Sequence, residues 1–347
     1  LSSDDVLEGD RLEGAPHPRE QTALVGHADA EAAVIREWQA GRLPHAILIG
    51  GAEGIGKATL AYRIARFVLA YPAPAGSSAP QDLSLPADHA VGRQVAAQSH
   101  PDLLVLRRLT NPDSGKLYTE IRVGDVRKIV SFFGSTPAFG GYRVCIVDSA
   151  EEMNREGANA LLKLLEEPPA KSLFLIISHV PGRIMPTIRS RCRRLRLKPL
   201  ATEDVVRAVR LLAARIPDLA LDRLDEAAAA SHGSVRRALA LLLEEGLDVR
   251  ALSAELFQRL PEVDPAKLHT LGDRIQSDQN LALFAETVGD WLAREATRPR
   301  EPLPRLARFA EAWENVRRAA VETDVYRLDR KPFVFQVFAM LAEATRR

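Results

Sequence analysis

The run HAILIGGAEGIGKATL, His45 to Leu60, sets Gly51, Gly56 and Lys57 at the spacing G-x-x-x-x-G-K, with Gly54 between them. Backbone N–H groups of such a glycine-rich loop bind phosphate oxygens, and the lysine pairs with the β- and γ-phosphates. The next position of this pattern carries a Ser or Thr whose hydroxyl holds Mg²⁺. Here it is Ala58, and Thr59 lies one helical step, about 100°, further round. A second acidic element follows at Asp148, which ends the apolar run Val144–Val147. It is placed to hold Mg²⁺ directly or through water, although an Asp at that point also suits the N-cap of a helix. The residue after it, where active ATPases carry a Glu that orients the attacking water, is Ser149, a weak base. Glu151 and Glu152 are two and three residues further along, which at a strand end points them elsewhere. The chain therefore keeps a cradle for ATP or ADP, with Mg²⁺, and lacks two groups needed to split it. Its own hydrolysis is expected to be weak or absent.

Those residues need a strand, a turn and a helix in that order. Ala46–Ile49 is a short apolar run suited to a buried strand, and Lys57–Ala70 carries Leu60, Ile64, Phe67 and Val68 on one helical face. Strand, glycine-rich turn and helix aim the helix N-terminus at an anion. Further strands are predicted at Leu103–Leu106, Val144–Val147, Leu173–Ile177 and Leu195–Leu197. Helices are predicted near Asp29–Gln39, Val126–Phe133 and Asn154–Glu166. This alternation predicts an α/β fold with a parallel sheet covered on both faces.

The Pro/Ala/Ser-rich stretch Tyr71–Pro86 breaks the pattern and reads as an exposed insertion. After Pro199 the strands stop. Thr202–Arg215 and Leu221–Leu243 form a small helical unit, and Leu252–Arg347 is helical, with Val334, Val337, Phe338 and Leu341 spaced as a core stripe. Trp291, Trp313 and Phe333 are read as packing residues. A break near Gly246–Asp248 divides the last two parts. The expected order is a disordered polar lead over residues 1–19, a P-loop domain over 20–199, a helical lid over 200–246 and an all-α domain over 247–347.

A net charge of +1 in 347 residues argues against a nucleic-acid binder that works alone, since phosphate contact is mainly Lys/Arg electrostatics. Cys145 and Cys192 are too few for a disulfide framework or a cysteine zinc site. No apolar run reaches the length of a membrane span. The expected compartment is the cytoplasm.

Four segments make a more specific resemblance: GRLPHAILIGGAEGIGKATLA, ANALLKLLEEPP (Ala158 to Pro169), IRSRCRRLRL (Ile188 to Leu197) and GSVRRAL (Gly233 to Leu239). In that order they resemble the bacterial clamp-loader subunits of the AAA+ class, strongly over about residues 20–245. By residue type alone Arg191 belongs to a basic run with Arg189, Arg193, Arg194 and Arg196, usually solvated charge. The resemblance implies that Arg191, in Ser190-Arg191-Cys192, is an arginine finger offered to ATP on a neighbouring subunit. It also implies that Arg236 is the lid arginine that reaches the nucleotide, an ordinary exposed helix Arg being the plainer reading. Ser178 stands at the position that senses the γ-phosphate, beside His179. Val25-Gly26-His27 and Leu43-Pro44-His45 resemble adenine-side elements.

The implied role is a stator in a pentameric ring with motor subunits and a delta subunit. Such a ring loads a sliding clamp onto primer–template DNA. The alternative is a motor ATPase working in its own site. Motor subunits of this class carry a four-cysteine zinc module after the P-loop helix. The corresponding stretch here, Tyr71 to Pro101, has His89 and His100 but no Cys, so no zinc is expected.

Overall fold

A computed structural model describes residues 12–73, 80–111, 117–217, 219–243, 245–298 and 303–346. It divides into two compact units, Leu1–Pro217 with His232–Arg236, and Asp218–Ser231 with Arg237–Arg347. The segment 200–246, expected as a lid, contributes to both.

In the first unit five strands, β1 (Ala46–Gly50), β2 (Leu103–Leu106), β3 (Arg143–Val147), β4 (Ser172–Ser178) and β5 (Arg193–Arg196), form one sheet in the order β2-β3-β4-β1-β5. Every pairing is parallel. Strands buried on both faces need continuous apolar runs, and β1, β3 and β4 are buried along their whole length. Alternate residues serve opposite faces. Ile47 and Ile49 join the core formed with helices α1 (Ala28–Gln39) and α2 (Lys57–Ala70). Ala46 and Leu48 join the other core, with Val126 and Ile129 of α4 (Val123–Gly134) and Leu161 and Leu165 of α5 (Arg155–Glu166). A parallel sheet between helices is the fold class that the strand–helix alternation predicts.

The span of β5 differs from expectation. It spans Arg193–Arg196, not Leu195–Leu197, with Ile47 opposite Arg193 and Gly50 opposite Arg196. Only Leu195 within it is buried, because β5 is an edge strand, and charged side chains there discourage pairing with another chain.

Helix α2 is buried on nearly all sides and carries Arg63 and Arg66 into the interior. Arg66 donates to the carbonyls of Arg19, at 2.9 Å, and Gln21, while Arg63 donates to Thr22 and pairs with Glu31. Burial pulls the Arg66 guanidinium down to about 10. These bonds pin residues 19–22 across α2, and just upstream His17 is fully buried against Tyr62. The disordered lead expected over residues 1–19 is thus corrected over its second half: Ala15 and His17 are buried and Pro18–Glu20 is a 3₁₀ turn. Residues 1–11 lie outside the described residues. The stretch Tyr71–Pro86, expected as an exposed insertion, buries Leu83 in the sheet core, and residues 74–79 of it lie outside the described residues. A short helix, α3 (Ala90–Ala96), follows where none was predicted.

Two short helices close the first unit's architecture, α6 (Pro186–Arg189) and α7 (Thr202–Ala213). The second unit holds α8 (Leu224–Ala230), the part of α9 (Val235–Leu242) from Arg237 onward, α10 (Gly246–Gln258), α11 (Pro265–Arg274), α12 (Asp278–Ala296), α13 (Leu303–Val325) and α14 (Arg330–Thr345). Val334, Val337, Phe338 and Leu341 are buried on α14, with Phe257 and Phe284 packed in the same core. Trp291 stacks on Phe257 at 5.1 Å between ring centroids. The break expected at Gly246–Asp248 is instead the first turn of α10, the change of direction falling on Glu245 at φ 60°. No helix among the described residues is long and apolar enough to cross a membrane.

Replacing Arg66 by Ala leaves the Arg19 and Gln21 carbonyls without these donors. We expect a loss of about 1–3 kcal/mol, the range for orphaning buried polar groups, seen as a lower thermal midpoint. Faster proteolytic cleavage within residues 12–22 should accompany it. Unchanged cleavage would show that Arg66 does not pin the segment.

Candidate functional site

The C-terminal edge of a parallel sheet is where its loops converge. Here β1 runs into residues 51–56 and then directly into α2, whose first residue is Lys57. Gly56 caps α2 at φ 102°, and Gly54 sits at φ 73°. Both are left-handed conformations that a Cβ would strain. At Gly54 a Cβ would also meet Ser234 and Arg236. The Gly54 carbonyl accepts from the backbone N–H groups of Val235, at 2.9 Å, and Arg236, at 3.3 Å. His27 Nε2 donates to the Ile55 carbonyl at 2.7 Å, and the Gly51 N–H donates to the Ser178 carbonyl at 3.3 Å. The loop is therefore held at three points, with the N-terminus of a 14-residue helix behind it. That terminus carries partial positive charge.

Lys57 is only 3% exposed, and its Nζ donates to the Ala52 carbonyl within the loop. Burial brings its amine down to about 8, while Glu53, Asp148 and Glu151 act in the opposite sense. Asp148, at the end of β3, is itself buried. Ala58 packs partly against the sheet core and Thr59 is half-buried beside it. The cradle thus fits a phosphate group. For a magnesium ion it offers the Asp148 carboxylate and only a methyl group at position 58.

Ser149 adopts φ 56°, uncommon outside glycine, and its Oγ lies 3.1 Å from His179 Nε2. Glu151 accepts from the backbone N–H groups of His179, at 2.7 Å, and Val180, at 3.2 Å. Glu152 pairs with Arg108 at 2.7 Å. Both carboxylates are thus engaged in holding the fold around the site. Burial, then Lys57, lowers the His179 pKa, although Glu53 and Glu151 oppose this. Ser178 Oγ and His179 Nδ1 are buried polar atoms with no hydrogen-bond partner among the described residues, at the end of β4.

Arg236 joins this edge, its Nε lying 3.4 Å from Glu53 Oε1. Lys57, Asp148, Ser178 and Arg236 are therefore gathered around Gly51, Gly54 and Gly56. Arg191 is not among them. It precedes β5, whose first residue, Arg193, lies opposite Ile47 near the start of β1, so Arg191 belongs to the N-terminal edge of the sheet. At about 3.3 Å per strand residue, the strand from Ile47 to Gly51 alone sets that edge about 13 Å from the loop. Its guanidinium, 36% exposed, pairs with Glu166 at 2.8 Å and donates to the Thr187 carbonyl at 2.9 Å. Among the described residues no group of three or more His, Cys, Asp or Glu side chains is arranged to hold a metal ion.

The sequence did not point to Glu53, to His27 as a brace for the loop, or to the Ser149–His179 pair. An acid inside the glycine run was a readable signal for the first. The other two depend on contacts across 28 and 30 residues.

A lysine whose folded-state pKa is lowered binds its proton less tightly in the folded than in the unfolded chain. The unfolded state therefore holds more protons between about pH 8 and pH 10.5, and stability rises with pH across that window. We expect Lys57→Met to stabilise the ligand-free chain at pH 7 by on the order of 1–3 kcal/mol. The gain should fade as pH climbs through the same window. Urea midpoints measured from pH 7 to 10.5 check this, and a constant difference would refute it.

Residues 26–201 match the family described as DNA polymerase III, delta subunit. The delta-prime subunit of DNA polymerase III from Pseudomonas aeruginosa is 37% identical over 191 residues, 55% of this chain and 53% of that protein. The match thus spans about half that relative's length. The delta-prime subunit from Escherichia coli K12 is 32% identical over 263 residues, 75% of this chain and 73% of that one. The tau subunit from Salmonella typhimurium is 28% identical over 194 residues, 54% of this chain and 27% of that one. With half of its length matched by the family and a relative aligned over most of both chains, this chain belongs to the DNA polymerase III delta-prime subunit family.

Proposed function

We propose that the chain is a stator of a clamp loader, the subunit that completes a neighbour's ATP site and does little chemistry in its own. The observation that carries this reading is the position of Arg191. Its guanidinium is accessible, oriented by Glu166 and the Thr187 carbonyl, and stands at the sheet edge opposite its own glycine-rich loop. From there it has no route to a phosphate bound by Lys57. A phosphate on an adjacent subunit is within its scope, and an arginine supplied in trans contributes about 10³–10⁵ to the rate of phosphoryl transfer.

The chain's own site supports the same division of labour. It retains a glycine cradle, Lys57, Asp148, Ser178 and Arg236 for ATP or ADP. A metal ion there would lack a hydroxyl at Ala58, and an attacking water would lack a carboxylate at Ser149. Glu151 and Glu152 are engaged elsewhere. Nucleotide at this site would serve structure or regulation. In the ring, residues 20–199 would act as the P-loop domain, 200–246 as the lid and 247–347 as the collar. The ring would include motor subunits and a delta subunit and would act in the cytoplasm. Contact with the sliding clamp and primer–template DNA would belong to the assembly. The alternative, a motor ATPase firing in its own site, draws on the intact cradle and requires turnover by the isolated chain.

The test is Arg191→Ala in a ring reconstituted from purified partner subunits. We expect DNA- and clamp-stimulated ATP turnover at the site it serves to fall at least tenfold, a modest share of the range for an arginine finger. The ring should still assemble by size-exclusion chromatography, and Arg191→Lys should rescue poorly because a lysine lacks the planar fork. Unchanged stimulated turnover in an intact ring would overturn the proposal.

A further inference from the structure

The tip of the glycine-rich loop carries a carboxylate where a phosphate would approach. Glu53 stands between Ala52, whose carbonyl engages Lys57, and Gly54, whose carbonyl engages the Val235 and Arg236 N–H groups. Its Oε1 lies 3.4 Å from Arg236 Nε. The basic groups around the cradle, Lys57, His179 and Arg236, all lie within the field of this one acid. The Glu53 side chain is 58% exposed, so its position is set by charge rather than packing. The other acids at this edge are more constrained: Asp148 is buried, and Glu151 is bonded to the His179 and Val180 backbone.

We propose that Glu53 is a built-in competitor for the phosphate seat, pairing with Arg236 and weakening the loop's hold on a polyphosphate until the ligand displaces it. This rests on reading residues 51–57 as a phosphate cradle and is independent of the role given to Arg191. An incoming triphosphate must separate Arg236 from Glu53 before using that guanidinium, and it must accept a fixed negative charge on the rim. Glu53 and Arg236 are both partly exposed, so solvent and salt screen them. The effect on affinity is then about twofold to fivefold, in the range of a partly exposed charge pair.

The experiment uses the full chain, without partners, and a fluorescent methylanthraniloyl-ATP with Mg²⁺ at low salt. Glu53→Gln is expected to bind about twofold to fivefold more tightly than the parent with an unchanged thermal midpoint, and the gain should shrink in 0.5 M salt as screening predicts. Arg236→Ala should weaken binding several-fold in the Glu53→Gln background and less than twofold in the parent, where Glu53 already occupies the guanidinium. The proposal fails if Glu53→Gln binds no more tightly than the parent, or if Arg236→Ala has the same effect in both backgrounds. Parent binding that is lost with Lys57→Met, alongside no gain from Glu53→Gln, would leave the cradle standing and remove only the competitor. Undetectable binding by every variant would remove both. An affinity gain that survives Lys57→Met places the nucleotide elsewhere and equally overturns the idea.

Discussion

All five strands of the sheet point the same way, and that shared direction sorts this chain's polar chemistry onto two edges. Loops leaving the strands collect at one edge, where α2 starts at Lys57 and the ends of β3 and β4 bring Asp148 and Ser178. Segments entering the strands collect at the other, where Arg191 precedes β5. The separation follows from pairing alone, since β1 is hydrogen-bonded between β4 and β5 along its length. A side chain at one edge has no reach to the other. The basic groups of this unit therefore serve distinct surfaces, however close they lie in sequence.

Buried charge is the recurring burden of this unit, and it is met in different ways. Arg63 and Arg66 are satisfied by backbone carbonyls of residues 19–22 and by Glu31, so the desolvated guanidinium groups double as clasps for the chain's N-terminal segment. Asp102 is buried at the start of β2. It accepts the Ala138 and Phe139 N–H groups at 2.9 and 3.3 Å and lies 3.4 Å from Arg143, fixing the loop that enters β3. Lys57 donates to the Ala52 carbonyl, and its burial lowers its pKa to about 8. A buried ammonium of that kind is stabilised by an anion, and a phosphate seated in the loop would be one.

Much of this was legible because the strongest signals were local. The apolar run at Ala46–Ile49 and the stripe on Lys57–Ala70 named β1 and α2 almost to the residue, since a buried strand followed by an amphipathic helix leaves little choice of period. The ends of β5 were misplaced because Arg193 and Arg194 look like loop, while backbone pairing to β1 draws them into the sheet regardless of side chain. Residues 12–20 look disordered by composition. They are held by Arg19, Arg63 and Arg66, which act from far along the chain or through backbone atoms. Leu83 was hidden in a Pro-rich stretch for the same reason: one anchor among breakers has no periodicity. At the site, residue types announced the cradle and its missing hydroxyl. The pairing of Ser149 with His179 and of Arg191 with Glu166 belongs to the tertiary fold, where spacing in sequence carries no information.

The two edges also differ in what holds them. The glycine-rich loop is braced by His27, by the Ser178 carbonyl and by residues 235–236, with Ala58 and Ile55 adding apolar contact to the core on the α1–α2 side. None of these contacts requires a hydroxyl at position 58 or a carboxylate at position 149. Arg191 depends instead on Glu166 at the end of α5 and on the turn at Thr187, and beside it Ile188 and Cys192 are buried in the opposite core. Changes at position 58 or 149 of the first edge therefore touch no group that orients the guanidinium at the second. Each edge is thus set by its own helix and its own core.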